Sequence, residues 1–90
     1  MPLPRMTAED LKKNVGLRIK VKDVVTAQAN YDTAQKVTNK MLAYRDKGDE
    51  QFSTEKLENA ERLERRMLGG VAHACNSLFT AWATECRSRE

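Results

Sequence analysis

The apolar positions of this chain fall into two long periodic runs. In the second, Leu57, Ala60, Leu63 or Glu64, Met67, Val71, Ala74, Leu78, Ala81 and Trp82 recur every three or four residues between Phe52 and Glu90. That spacing is one face of an α-helix about 50 Å long. Ser53 can cap its first free N–H groups, with Phe52 and Leu57 placed to close a hydrophobic staple around the cap. A stripe of this length needs a partner to cover it.

The first run supplies one. From Asp23 to Lys47, Val24, Ala27, Tyr31, Ala34, Val37, Met41 and Tyr44 or Leu42 fall on one side, with Gln28, Asp32, Lys36, Asn39, Lys40 and Lys47 on the other. Gly48 stands where a left-handed cap would end the helix. The short connection 48–52 makes the two helices antiparallel neighbours. Counting outward from it sets Met41 near Asn59 and Ala60, Val37 near Leu63, Ala34 near Met67, and Ala27 near Ala74. Gly69 and Gly70 could interrupt the second helix, at about 1 kcal/mol each relative to Ala. The stripe keeps its phase from Met67 to Val71, so the helix is expected to continue.

The predicted fold is therefore all-α: an antiparallel helical hairpin of residues 23–47 and 53–88, with a short helix or strand-like segment at the open end. The chain is expected to form one domain, with residues 1–6 flexible and 7–22 a basic N-terminal segment. Beyond Asn76 the last helix outruns its partner, so Leu78, Phe79, Trp82 and Cys86 need cover from the N-terminal segment or from a second copy of the chain. Ala72, Cys75 and Phe79 also widen the apolar face there. Ala72, Cys75, Leu78, Phe79 and Trp82 are accordingly the candidate protein interface.

Residues 7–22 read two ways. Thr7 followed by Ala-Glu-Asp predicts a helix start. Then Val15, Leu17, Ile19 and Val21 alternate with Gly16, Arg18, Lys20 and Lys22, the period of a half-buried strand with a cationic face. Such a strand would have to pair with its twin or with a partner protein.

Charge sharpens interest in this segment. The net charge is +3, and residues 1–25 carry all of the excess, with Leu11 to Lys22 holding five cations and no acid. A cluster of this kind favours an anionic partner, so Lys12, Lys13, Arg18, Lys20 and Lys22 are candidate nucleic-acid contacts. The order strand, helix, helix resembles the ribbon-helix-helix repressors, which implies Arg18, Lys20 and Lys22 at the groove-reading face; the helices here are longer than that family's. Leu11-Lys12-Lys13-Asn14-Val15-Gly16-Leu17 also resembles the first helix and glycine turn of a helix-turn-helix, which implies a recognition helix opening at Arg18. Lys12 stands where that family has a small residue.

The 90 residues offer little for catalysis. His73 is the only histidine and falls on the polar side of its helix, and no metal-ligand spacing, phosphate loop or nucleophile elbow is present. No cofactor and no metal are expected. The alternating charges from Glu58 to Arg66 make a solvated helix face, in which Glu64 alone intrudes on the stripe. No apolar run reaches the roughly 20 residues that cross a bilayer, and the start lacks the pattern of a signal peptide. Cys75 and Cys86 lie about 16 Å apart along one helix, too far for a disulfide within it. The expectation is a cytoplasmic, non-enzymatic protein that binds another protein as adaptor, inhibitor or regulatory subunit, or as a homodimer. Small accessory proteins of phages and mobile elements share this size and lack of motif. The alternatives are a DNA- or RNA-binding regulator using residues 12–22 and a structural assembly subunit; no membrane partner is expected.

Overall fold

The computed structural model describes residues 3–90. Three helices follow one another: α1 (Ala8–Lys13), α2 (Val15–Lys47) and α3 (Thr54–Ser88). The long pair α2 and α3 pack along their length and α1 rests at their open end, in a rod 61 × 21 × 19 Å.

Each boundary has a local cause. Thr7 and Asp10 form a reciprocal capping box, in which the Thr7 hydroxyl accepts from the Asp10 N–H at 3.2 Å and the Asp10 carboxylate accepts from the Thr7 N–H at 2.8 Å. Asn14 then interrupts the helix with extended backbone, and its side-chain oxygen caps α2 by accepting from the Leu17 N–H at 3.1 Å. Gly48 ends α2 at φ 67°, a left-handed conformation that favours glycine, while its N–H and that of Asp49 donate to the Arg45 and Tyr44 carbonyls. Ser53 opens α3 as anticipated, with half-buried Phe52 before it and buried Leu57 one turn in.

The seam has a seven-residue repeat. Leu17, Val24, Tyr31 and Thr38 on α2 alternate with Ala27, Ala34 and Met41, and all are buried or half-buried. On α3, Leu57, Glu64, Val71, Leu78 and Glu85 alternate in the same way with Ala60, Met67, Ala74 and Ala81. A period of 3.5 keeps both stripes facing each other over many turns, as in a coiled coil. Asn14 beside Glu85 (3.3 Å) and Lys20 beside Ser77 (2.7 Å) show the antiparallel register counted from the loop. That register sets half-buried Met41 opposite buried Ala60 and half-buried Met67 opposite buried Ala34, large residues against small. Ala27 meets Ala74, where two methyl groups cannot fill the space, and a groove lined by Ala27, Gly70 and Ala74 opens.

Two expectations change. The first long helix begins at Val15, eight residues before Asp23, and the strand-like alternative for 15–22 does not form. In a helix, positions two apart point to opposite sides, so Leu17 is 2% exposed and faces inward while Val15 and Ile19 face solvent. The alternation thus records two apolar stripes on opposite faces of one helix. Val37, placed inward by its hydropathy, is 45% exposed; the seven-residue repeat instead buries Thr38 at 5%, its hydroxyl donating to the Ala34 carbonyl. The continuity of α3 through Gly69 and Gly70 is as expected.

Candidate functional site

The open end is closed by the chain's own N-terminus. Leu17, Trp82 and Cys86 form a buried cluster, against which Met6, Leu11, Leu78 and Ala81 pack. The Trp82 indole N–H donates to the Pro4 carbonyl at 2.7 Å, and the Arg89 guanidinium lies 5.1 Å above the indole ring. Arg89 also donates to the Asp10 carboxylate at 2.7 Å. Within the segment 1–6 expected to be flexible, Pro4 and Met6 make these contacts, and Met1 and Pro2 lie outside the described residues.

Hydrogen bonds from the Thr7 backbone and the Arg89 side chain to the ionised Asp10 carboxylate hold its pKa down at about 2. The hydrogen bond to Asp10 correspondingly raises the pKa of Arg89.

This closure divides the predicted protein interface. Trp82 is 6% exposed and Leu78 half-buried, both packed within their own chain, so neither offers an open surface. Ala72, Cys75 and Phe79 remain exposed, Phe79 at 64%. Leu68, at 51%, extends them by one more turn. The spacing of these four residues places them on one narrow stripe of α3, beside the seam that faces α2. Leu68 lies outside the interface predicted from the sequence, although its position four residues before Ala72 places it on the same line.

The predicted nucleic-acid contacts are also rearranged. Arg18 and Lys22, four residues apart, share the outer face of α2 with Val15, Ile19 and Val25, all exposed. Lys20 points elsewhere, into the groove between the long helices, where its ammonium donates to Ser77. The three cations therefore do not form the single face that a strand would give them. Lys13 pairs with Glu9 at 3.8 Å, and Lys12 is exposed on α1. The break falls at Asn14 while Gly16 lies inside the first turn of α2, which removes the glycine turn that a helix-turn-helix requires. Glycine at 16 has a different use: a Cβ there would come 3.2 Å from the capping oxygen of Asn14.

The inter-helix groove gathers Lys20, Asp23, His73 and Ser77. Lysine beside serine is a pairing found in some hydrolases, yet here both residues lie in mid-helix. Their neighbouring backbone N–H groups are committed to the helical ladder, which leaves no donors to hold an oxyanion. The contact reads as a tie between α2 and α3.

Among the described residues no helix is long and apolar enough to cross a membrane, and no group of His, Cys, Asp and Glu is placed to hold a metal ion. Comparison of the chain with protein-family models, curated proteins and solved structures returns no match.

Proposed function

We propose that this protein acts by binding another protein, as an adaptor, inhibitor or regulatory subunit, and that the exposed stripe of α3 is the contact surface. The observation that carries this reading is the pairing of Leu68 and Phe79, more than half exposed on one line of a helix whose inner face is already satisfied by α2. Apolar side chains aligned on a rigid helix are the anchors of helix-mediated recognition. Affinity purification at low and moderate salt, with Phe79→Asp as control, tests it. A partner retained at moderate salt by the wild type and lost by the variant is the expected result; equal retention by both removes the stripe from the function.

A second reading, binding of DNA or RNA, draws support from Lys12, Arg18 and Lys22. These are exposed and in no ion pair among the described residues. Salt-labile retention of nucleic acid in the same purification would favour it.

A further inference from the structure

The apolar line on the outside of α3 does not stop at Phe79. Leu68, Ala72, Cys75, Phe79, Trp82 and Cys86 follow one another at four, three, four, three and four residues, so all lie on one side of the helix. The first four are exposed and the last two are buried. The N-terminal segment makes the difference. Met6 and Leu11 pack against the cluster that holds Trp82 and Cys86, and the Trp82 indole N–H donates to the Pro4 carbonyl at 2.7 Å. Residues 3–13 are thus a strap laid across the end of the line. We propose that this strap opens as a unit about Asn14 while the hairpin stays folded, and that when closed it masks the end of the α3 line that carries Trp82 and Cys86.

Three features set the strap apart from the hairpin. The first is the hinge. Asn14, between α1 and α2, has extended backbone at φ −124° and ψ 102°, which interrupts the helix. The hairpin itself holds this residue: its side-chain oxygen caps α2 at the Leu17 N–H, and its side-chain amide donates to the Glu85 carboxylate at 3.3 Å. Neither bond involves residues 3–13, so α2 keeps its cap and its tie to α3 when the strap leaves. The second is attachment. Helix α1 has no buried residue, and the strap's apolar anchors, Met6 and Leu11, are only half-buried. Its ion pair joins Asp10 to a guanidinium that is 47% exposed, and pairs so open to water hold weakly. The third is length. Six residues do not hold a helix in water unaided, so α1 orders only as it docks, and undocking and unfolding of the strap are one event. Segments with few buried contacts open at a fraction of the free energy of the whole fold.

Cys86 reports the opening, because it lies in the cluster against which the strap packs, at 9% exposure. Its modification by a thiol reagent should be followed in the full chain, in denaturant below the unfolding transition. The expected rate exceeds what global unfolding allows and changes little with denaturant, because opening the strap exposes only a small part of the surface that unfolding exposes. Leu11→Ser and Asp10→Asn loosen the strap at two different contacts. The first should speed Cys86 by about tenfold or more and the second by a smaller factor, both with helical circular dichroism retained. Leu68→Asp, on the same line but beyond the strap, should leave the Cys86 rate unchanged. A rate that tracks global unfolding at every denaturant concentration, or that neither strap variant raises, overturns the proposal. The masking rests on the protein-binding reading: if a partner is captured through Phe79, Leu11→Ser should retain more of it than the wild type, and equal or lesser retention overturns the masking. Local opening at Cys86 with no partner captured leaves the opening established and removes that reading together with the masking. A Cys86 tied to global unfolding removes the strap whatever is captured.

Discussion

The Asp10 carboxylate receives a hydrogen bond from the Arg89 guanidinium at 2.7 Å, joining the first helix to the residue that caps the end of the last. Between them lies Trp82, which Arg89 covers from one side and Pro4 ties from another. The hairpin's open end is closed by this arrangement, while the α3 stripe of Leu68 and Phe79 and the outer α2 face of Val15, Ile19 and Val25 stay exposed.

Acid should open that closure first. Asp10 has a folded-state pKa of about 2 against an ordinary value of 3.8, so its stabilisation is complete above the ordinary value and lost as pH falls through the folded one. Trp82 fluorescence should therefore change between about pH 4 and about pH 2 while far-ultraviolet circular dichroism still reports helix. Asp10→Asn should show the loosened signal already at neutral pH. An unchanged indole environment in both experiments would mean that the contact does not hold the N-terminal segment.

Two aromatic residues three positions apart should behave oppositely. Trp82→Ala removes a buried side chain and is expected to cost about 3–5 kcal/mol in chemical denaturation. Phe79→Ala, at 64% exposure, should change monomer stability by no more than about 0.5 kcal/mol. Comparable losses would place Phe79 in the core and remove it from the surface.

The glycines also separate. Gly48→Ala forces a side chain into the left-handed region at φ 67° and should destabilise the hairpin by about 1 kcal/mol. Gly69→Ala and Gly70→Ala meet nothing within 4 Å in a regular helix, so each should stabilise by up to about 1 kcal/mol. Thermal melts of the three variants check the signs.

If nucleic acid is bound, Arg18→Gln with Lys22→Gln should flatten the salt dependence of binding, because each phosphate contact contributes a log–log slope of roughly −0.9 on duplex DNA. Adding Lys20→Gln should change little, since Lys20 is turned into the inter-helix groove. Equal effects from all three residues would contradict the helical placement of this segment.

Much of the architecture was legible because its signals are local or periodic. Gly48, Ser53 and the stripe from Leu57 to Trp82 each specify their own structure, and the short loop converts two stripes into a register. Residues 15–22 misled because a period of two also arises when a helix carries apolar residues on both faces, and only the position of α3 shows which face is inward. The exchange of Val37 for Thr38 has a related origin: the seven-residue repeat decides burial there, and hydropathy points to the neighbouring residue. Trp82 lies in phase with the stripe, as its spacing predicts, and is buried within its own chain. Its cover, however, comes from Pro4, Met6 and Leu11, far away in sequence and without a periodic signal. The same closure limits the candidate site to Leu68, Ala72, Cys75 and Phe79.

The availability of that stripe can be measured through its own cysteine. Cys75 is exposed and Cys86 buried, so each thiol serves as the other's reference. The rate at which a thiol reagent modifies each should be followed in dilute protein. Cys75 is expected to react rapidly and Cys86 slowly. If Cys75 is as slow as Cys86, the stripe is not an open surface and the account is contradicted.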